Sequence, residues 1–411
     1  MSALVRPFRA LRPRPERAAD VVAPPYDVVD AGEARALVEG RPLSFLHVSR
    51  PEIDLPPGTD PYAEAVYARG AANLERLVES GVLVRDDRPA YYVYRMTMGG
   101  HSQIGVGCVA SVRAYEQNRV RKHELTRPDK EYDRVRNIHA LNAQTGPVLC
   151  AYRASGPLRA LLGEAARQPP LLEVEGPNAV VHTLWRVDGQ QAVERLSREL
   201  DALDTLYIAD GHHRSAAASR VAQARRAAGG SEEASHEFFL TVAFPHDELR
   251  ILDYNRAVAD LNGLSPAQLV ERLGAVLGVE RAAGRTKPSG PGVFGMYLDG
   301  AWYTLTMPAG AIPDDPVASL DISLLQDRVI GPLLGIADPR TDSRISFVGG
   351  VRGLGELERL VDSGRTAVAF ALHPTSMAQL MAVADAGRPM PPKSTWFEPK
   401  LADGLLSHVL D

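Results

Sequence analysis

The stretch "LYIADGHHRSAAASR", residues 206–220, contains the clearest change of pattern in the sequence. Leu206–Ala209 is a short apolar run of the kind that forms a buried strand, and the Asp-Gly pair that follows is typical of a tight turn. From Ser215 the chain is rich in alanine, which is the strongest helix former. The sequence therefore predicts a strand, a turn and the start of a helix, in that order.

The polar residues of this turn stand at the predicted helix N-terminus. They are Asp210, Gly211, His212, His213 and Arg214. Free N–H groups and the helix dipole favour an anion at that end, so basic side chains there do not stabilise the helix by themselves. A phosphate group held between them accounts for their presence. In the structural alternative, Asp210 caps the helix, the histidines lie at the surface and Arg214 pairs with an acid.

Length and composition limit the class of protein. A chain of 411 residues is long for one core, so two or three domains are expected. The apolar fraction of 45% is ordinary for a soluble globular protein. A formal net charge of −5 argues against general binding to nucleic acid or to anionic membranes. No apolar run reaches the length of about 18 residues that a membrane span needs, and no signal-peptide core is visible, which predicts a cytoplasmic protein.

The sequence lacks the motifs that mark several kinds of site. Cys108 and Cys150 lie in apolar runs and are expected to be reduced core residues. Neither H-E-x-x-H nor C-x-x-C occurs, so no zinc site is expected. "GRPMPPKST", residues 387–395, resembles a phosphate-binding P-loop, but Pro392 stands where that loop needs glycine. Proline has no N–H to offer a phosphate, which excludes that type of cradle here.

Strand-like and helical patterns alternate along the rest of the chain. One β-hairpin is predicted to turn at Gly99 and another at Asp299. Helices are predicted over Pro61–Ser80 and from Ser265, which is followed by proline at the first helical position. Together these patterns predict a mixed α+β fold. The predicted regions are 1–114, 115–262 and 263–411.

Residues 120–146, "VRKHELTRPDKEYDRVRNIHALNAQTG", are densely charged. Most of these charges are expected on a solvated helix face, where Glu131 and Arg134 stand three residues apart. His123 and Glu124 precede the helix and are predicted to lie on a loop. A carboxylate on a loop is a candidate general base for a hydroxyl, provided that the fold brings it near the phosphate.

Two further segments contain candidate substrate contacts. In "HTLWRV", His182 and Arg186 stand four residues apart and share one face of a predicted strand, although packing explains them equally well. In "APPYDVV", residues 23–29, a Tyr-Asp pair stands on a turn fixed by proline. A structural turn and a substrate contact are equally expected there.

The order of these motifs resembles that of a known superfamily. "KHELTR", "TGPVLCAYR" and "LYIADGHHR" follow one another as in the ParB/sulfiredoxin-like proteins, which include the free serine kinases. From "RPFRALRP" and "APPYDVV" to "MPPKSTWFEPK", nearly the whole chain is similar to a bacterial family, long labelled a domain of unknown function, of pyrophosphate-dependent L-serine kinases. This resemblance implies a ParB/sulfiredoxin-like core at 115–262 that carries the phosphate site. Residues 1–114 and 263–411 are then N-terminal and C-terminal α/β additions.

The resemblance also implies a role for each matching residue. The phosphate-binding motif is matched by Gly211, His212, His213 and Arg214. Glu124 matches the glutamate that acts as general base on the serine hydroxyl, and it forms the predicted catalytic set with Asp210 and His212. Asp210 is the predicted ligand of Mg²⁺, the expected cofactor. The predicted contacts to serine are Arg134, His182 and Arg186. Sulfiredoxins have a cysteine at the position of His212, so repair of sulfinic acids is not expected.

The expected function is phosphorylation of free L-serine to O-phosphoserine with pyrophosphate as donor. ATP or ADP as donor, a phosphoserine phosphatase, and a non-catalytic nucleotide- or DNA-binding regulator of the ParB type are the alternatives. The acidic balance and the lack of a basic helix pair after Ala228 argue against the regulator. Nucleic acid and membranes are not expected partners, and a homo-oligomer is left open. "MPPKSTWFEPK" is expected to fold back near the active-site cleft.

Overall fold

The chain divides into two units in the structure, a computed structural model that describes residues 3–411. The first unit consists of the chain up to Leu249 together with Pro399–Asp411, and the second unit is Arg250–Glu398. Helices and largely antiparallel sheets occur in both units, so the mixed α+β fold class predicted from the sequence is confirmed.

The strands, in chain order, are β1 (Val5–Arg6), β2 (Ala10–Pro13), β3 (Leu83–Arg85), β4 (Tyr91–Met98), β5 (His101–Ser111), β6 (Val120–Arg121), β7 (Ala143–Gln144), β8 (Val148–Tyr152), β9 (Leu172–Glu175), β10 (Val181–Val187), β11 (Leu206–Asp210), β12 (Phe238–Pro245), β13 (Ile251–Leu252), β14 (Tyr254–Val258), β15 (Gly278–Arg281), β16 (Val293–Leu298), β17 (Ala301–Thr306), β18 (Ile345–Gly349), β19 (Val368–Ala371), β20 (Trp396–Phe397) and β21 (Ser407–Val409).

The α-helices are α1 (Ala18–Val21), α2 (Ala31–Val38), α3 (Leu46–Ser49), α4 (Glu64–Glu79), α5 (Val112–Glu116), α6 (Pro128–Leu141), α7 (Gly156–Ala165), α8 (Gln190–Asp201), α9 (His212–Ala227), α10 (Pro266–Gly274), α11 (Asp321–Leu325), α12 (Leu354–Asp362) and α13 (Met377–Asp385). Short 3-10 helices lie at Pro15–Arg17, Pro51–Asp54, Pro177–Ala179, Ser235–Glu237 and Gly350–Arg352, and a π-helical turn lies at Gln326–Ile330. None of the helices in residues 3–411 combines the length and apolar character needed to cross a bilayer.

A nine-stranded sheet forms the centre of the first unit. Its strand order is β6-β11-β8-β12-β5-β4-β10-β9, and β1 pairs with β5 beside this path. The predicted hairpin at Gly99 is confirmed, because Met98 of β4 pairs with His101 of β5. The apolar side chains of β8 and β11 are fully buried, so these strands lie within the core of the unit. The bounds of the units differ from the predicted regions because β4 and β5 share this sheet with strands of the predicted core.

The last residues of the chain complete a second, four-stranded sheet of the first unit. In its order, β3-β2-β21-β7, the C-terminal strand β21 pairs with both β2 and β7. Asp403 also forms an isolated antiparallel bridge with Ala23. These pairings attach the C-terminal segment to the N-terminal part of the chain.

The second unit contains a six-stranded sheet in the order β15-β17-β16-β19-β14-β18 and a two-stranded sheet of β13 and β20. The predicted hairpin at Asp299 is confirmed by the pairing of Leu298 with Ala301. Helix α10 starts as predicted, since Ser265 accepts a hydrogen bond from the backbone N–H of Gln268 and forms a capping box with it.

Candidate active site

The predicted strand–turn–helix motif is present in the first unit. Strand β11 ends at Asp210, and helix α9 begins at His212. Gly211 between them has φ +101°, a conformation that residues with a side chain rarely adopt. A Cβ atom on Gly211 would lie 3.1 Å from the guanidinium carbon of Arg214 and 3.3 Å from the backbone Cα of Val148. Since Gly211 offers no capping side chain, the first N–H groups of this 16-residue helix are suited to an anion.

A pair of parallel strands brings the charged loop to this motif. Strands β6 and β11 run in the same direction, with Leu206 opposite Val120. The loop after β6 and the turn after β11 therefore leave the sheet at the same edge. His123 and Glu124 lie on that loop, and a ligand atom of each is within 4.8 Å of a ring nitrogen of His212. Glu124 therefore lies near the start of α9, and its role as a general base stays a prediction.

His123 and His212 are a buried pair of imidazoles. Their side chains belong to residues that are 3% and 4% exposed, and the two Nε2 atoms are 3.4 Å apart. Burial lowers the pKa of His123 to about 4, although the Ile208 backbone and Asp210 act in the opposite direction. Burial and the neighbouring His123 hold the pKa of His212 well below its usual value. Both rings are therefore neutral near pH 7, and each keeps one nitrogen lone pair.

His213 lies on the other side of the helix start. Its Nε2 atom accepts a hydrogen bond of 3.0 Å from the backbone N–H of Arg127. Burial lowers the pKa of His213, with Asp27 opposing the shift, so the ring is neutral near pH 7. Because Nε2 is an acceptor, the ring proton of the neutral form is on Nδ1, which can donate to a ligand.

Asp210 binds two cations at the end of β11. Its Oδ2 atom lies 3.2 Å from Nη2 of Arg214 and 3.6 Å from Nζ of Lys400. Burial by itself would raise the pKa of Asp210, but Lys400 and Arg214 hold it below its ordinary range. Arg214 also donates through Nη1 to the carbonyl of Pro147. The carboxylate thus stays ionised and fixes both cations beside the helix N-terminus.

Lys400 comes from the end of "MPPKSTWFEPK", the segment expected to fold back near the cleft. Its position beside Asp210 belongs to the first unit. The earlier part of that segment belongs to the second unit, where the carbonyls of Pro392 and Lys393 accept hydrogen bonds from Arg256. The segment therefore contributes to the candidate site through its last residues.

A cavity of about 30 Å³ adjoins Arg214 in the first unit, and its lining mixes polar side chains with apolar ones such as Ile138, Val148, Phe239 and Leu240. Its lining includes Tyr26, Ser49, Arg134, Asn137, Thr145, Gly146, Arg214 and Asp403. The guanidinium of Arg134 lies 4.1 Å above the ring of Tyr26 and pairs with Asp133 at 2.7 Å. Asp403 is 1% exposed; its Oδ2 accepts from the backbone N–H of Tyr26, whereas its Oδ1 has no hydrogen-bond partner. Two guanidinium groups and one incompletely paired carboxylate therefore line the same cavity.

The charge state of Asp403 gives a pH prediction. Burial raises the pKa of Asp403 to about 7 from its usual 3.8, although Arg214 acts in the opposite direction. The folded state then holds this proton more tightly than the unfolded state, so the stability contributed by the protonated form is present below pH 4 and lost as the pH rises through 7. Relative to Asp403→Asn, the wild type should lose on the order of a few kcal/mol over this range, measured by urea unfolding. A difference between the two proteins that is constant with pH would contradict the shift.

The other predicted substrate contacts lie elsewhere in the first unit. His182 is buried in β10, where its Nδ1 is 2.9 Å from the hydroxyl of Tyr94. Arg186 is paired with Asp87 at 2.7 Å and with Asp188 at 3.2 Å. Neither residue lines the cavity, whereas Arg134 does. The roles of all three in substrate binding stay predictions.

Sequence reasoning did not select three residues that complete this arrangement. His123 stands beside Glu124 in "KHELTR", and this position next to a candidate base is the sequence feature that could have pointed to it. Lys400 and Asp403 follow a segment noted for its composition, but their sequence positions do not show that they pair with Asp210 and Tyr26. Only the C-terminal strand pairing brings them to the site.

Comparisons with known proteins give one family and several distant structures. The family model described as "Protein of unknown function (DUF1015)" matches residues 5–323. No curated protein matches the chain in sequence.

The solved structures that match this chain include three that illustrate the low identity. A conserved hypothetical protein from Pyrococcus furiosus is 14% identical with a TM-score of 0.34, over 72% of this chain and 93% of that chain. A free serine kinase in complex with AMP is 13% identical with a TM-score of 0.33, over 70% of this chain and 86% of that chain. SbnI with a C-terminal truncation, from Staphylococcus aureus, is 11% identical with a TM-score of 0.38, over 72% of this chain and 85% of that chain. These values are too low to carry a function over to this chain.

Proposed function

Because this chain belongs to the DUF1015 family of proteins of unknown function, its activity is inferred from its own site, and we propose that it is a phosphotransferase acting on free L-serine with pyrophosphate as donor. The observation that carries the proposal is the juxtaposition of an anion-binding helix N-terminus with the Glu124 carboxylate. The order of the sequence motifs supports a ParB/sulfiredoxin-like core for the same region. The proposal accounts for a base and an anion site in one place.

The donor binds at the N-terminus of α9. Backbone N–H groups after Gly211 and the Nδ1–H of His213 donate to phosphate oxygens. Arg214 and Lys400 add positive charge on the side of Asp210. These groups are fixed before the reaction, so they neutralise charge on the phosphoryl group without reorganisation.

The transfer step exchanges one P–O bond for another. The serine Oγ forms a bond to one phosphorus of pyrophosphate while the bond from that phosphorus to the bridging oxygen breaks. The bridging oxygen leaves with the second phosphate, and Glu124 takes the Oγ proton. O-phosphoserine and phosphate are the products, and Glu124 then releases its proton to solvent. Positioning and charge neutralisation supply most of the catalysis in such a step.

The acceptor amino acid binds in the cavity beside Arg214. Arg134 there can hold a carboxylate, because a guanidinium forms paired hydrogen bonds with that group. The unpartnered Oδ1 of Asp403 can accept from an ammonium group, and the raised pKa of about 7 means that this carboxyl becomes mainly ionised only above pH 7. The cavity has a volume of about 30 Å³, so in this proposal serine has to displace part of the lining when it binds. The guanidinium of Arg134 favours an acceptor that has a carboxylate over an uncharged alcohol.

Arg134→Gln should raise the KM for L-serine by about tenfold to a hundredfold with a smaller change in kcat, because it removes a charge-assisted contact to the ground state. The measurement is the initial rate of phosphoserine formation over a range of serine concentrations. Arg186→Gln is the matched control, since Arg186 is the other arginine predicted to contact serine and it does not line the cavity. A rise in KM for Arg186→Gln alone would place the acceptor outside the cavity.

Mg²⁺ is the proposed cofactor, but Asp210 does not fit the predicted role of its ligand. The Oδ2 atom of Asp210 already faces Arg214 and Lys400, and a third cation there would be repelled by both. Mg²⁺ usually takes several of its ligands from substrate phosphates and water. Asp210 therefore positions the cationic side chains of Arg214 and Lys400. The roles proposed above for the other residues do not depend on the metal.

A phosphoryl-transfer assay tests the proposal. Purified protein, L-serine and Mg²⁺ are incubated with pyrophosphate, ATP or ADP in separate reactions, and phosphoserine is detected by mass spectrometry. Phosphoserine with pyrophosphate alone supports the proposed donor, and phosphoserine with a nucleotide alone replaces it. Release of phosphate from phosphoserine, without formation of phosphoserine from any donor, would instead identify a phosphatase.

A further inference from the structure

The side chains of His123, Glu124 and His212 form a compact group of potential metal ligands. One ligand atom from each residue lies within 4.8 Å of the others. Both histidines are more than nine-tenths buried, and Glu124 is exposed at the mouth of the group. The ring planes of the histidines are 86° apart, so the imidazoles do not stack face to face.

The spacing of the two histidines fits a shared ion. Two imidazole nitrogens bound to one tetrahedral ion at about 2.05 Å are about 3.3–3.4 Å apart, from the metal–nitrogen distance and the tetrahedral angle. The observed separation of the Nε2 atoms is 3.4 Å. In a hydrogen bond between the two neutral rings, one Nε2 atom would donate and the other would accept. An ion between these atoms would instead engage a lone pair of each.

We propose that His123, His212 and Glu124 bind one divalent transition-metal ion of the class that prefers nitrogen ligands, such as Zn²⁺, rather than Mg²⁺. Two imidazoles and a carboxylate suit such an ion, whereas Mg²⁺ prefers oxygen ligands throughout. Three protein ligands leave at least one coordination position open to a small molecule. This proposal differs from the expectation that the chain has no zinc site, which rested on contiguous motifs. The fold assembles these ligands from two segments that are brought together by the pairing of β6 with β11.

Metal binding has a consequence for catalysis, and this consequence rests on the function proposed above. Glu124 is both the third ligand and the proposed base, so an ion at this site withdraws the carboxylate from proton transfer. Zn²⁺ should then inhibit phosphoserine formation, and a chelator should restore it. Binding itself is measured without substrate, so its result is independent of whether serine is phosphorylated.

The test is isothermal titration calorimetry on the full chain after treatment with a chelator and dialysis. Zn²⁺ and, in parallel, Mg²⁺ are titrated into the protein without substrate. One Zn²⁺ per chain is expected, with an affinity at least about a hundredfold above that for Mg²⁺. His123→Gln and His212→Gln should each weaken Zn²⁺ binding by about a hundredfold or more, and Glu124→Gln by about tenfold. His182→Gln removes a buried imidazole elsewhere and should leave the affinity unchanged.

Absence of stoichiometric Zn²⁺ binding, equal affinity for Mg²⁺, or unchanged binding in both His123→Gln and His212→Gln overturns the proposal. If circular dichroism shows that those two variants do not fold, the visible absorption spectrum of Co²⁺ bound to the wild type is measured instead. Strong visible absorption of tetrahedral Co²⁺ supports the site, and the weak spectrum of an octahedral, oxygen-bound ion overturns it.

Discussion

Glu124→Gln is expected to lower kcat for phosphoserine formation by about a hundredfold or more, with a small change in the KM for serine. Glutamine keeps the size of the side chain but cannot take a proton from the serine Oγ. In the proposed function the ground-state contacts of serine are with Arg134 and Asp403, so this substitution should not alter them. Steady-state rates at saturating donor, with serine concentration varied, separate the two parameters.

Glu175→Gln is the matched control for this substitution. Glu175 is an exposed glutamate on β9, at the opposite end of the nine-stranded sheet from β6 and β11. The kcat of the Glu175→Gln protein should equal that of the wild type. A Glu124→Gln protein with near-full kcat would remove Glu124 as the base, and an equal loss in both variants would point to a general effect of lost negative charge.

Gly211→Ala is expected to lower the free energy of unfolding by about 1–3 kcal/mol and to reduce phosphoryl transfer strongly. The left-handed backbone at Gly211 costs a residue with a Cβ on this order. The added methyl group would also press on the guanidinium of Arg214 and on the backbone of Val148. Arg214 or the helix start has to move, and either movement disturbs the anion site. Urea unfolding and the rate of phosphoserine formation measure the two effects.

The same substitution at Gly163 serves as the control. Gly163 lies inside helix α7, and a Cβ there would meet no atom within 4 Å. Gly163→Ala should leave activity unchanged and stabilise the protein by about 0.5–1 kcal/mol, because alanine is the better helix former. If both variants keep wild-type stability and activity, the conformation of Gly211 is not what holds the site.

Local patterns predicted the central motif and several elements correctly. The change from an apolar run to Asp-Gly and then to alanine-rich sequence fixed β11 and α9, because each signal arises from adjacent residues. The hairpins at Gly99 and Asp299 were predicted for the same reason: a turn residue and the strands beside it are close in sequence. The position of Glu124 on a loop was also predicted, from the proline that begins α6.

Pairings between distant segments could not be predicted in this way. Nothing in the short strand β6 indicates that it runs parallel to β11, yet that pairing brings His123 to His212. Asp403 forms a backbone bridge with Ala23 and accepts a hydrogen bond from Tyr26, although these residues are far from it in sequence. The division into two units has the same origin, since β21 joins strands from the first half of the sequence.

The pairing of β21 with β2 and β7 also has a consequence for the order in which the molecule is made. Ribosomes deliver β2 and its partner β3 first, whereas its other partner, β21, follows only after Arg250–Glu398 has been synthesised. Lys400 and Asp403 are synthesised shortly before β21. A nascent chain that stops before these residues therefore lacks the Lys400 ammonium beside Asp210 and the Asp403 carboxyl of the cavity. The contacts of Lys400 with Asp210 and of Asp403 with Tyr26 can therefore form only after residues 250–398 have been synthesised.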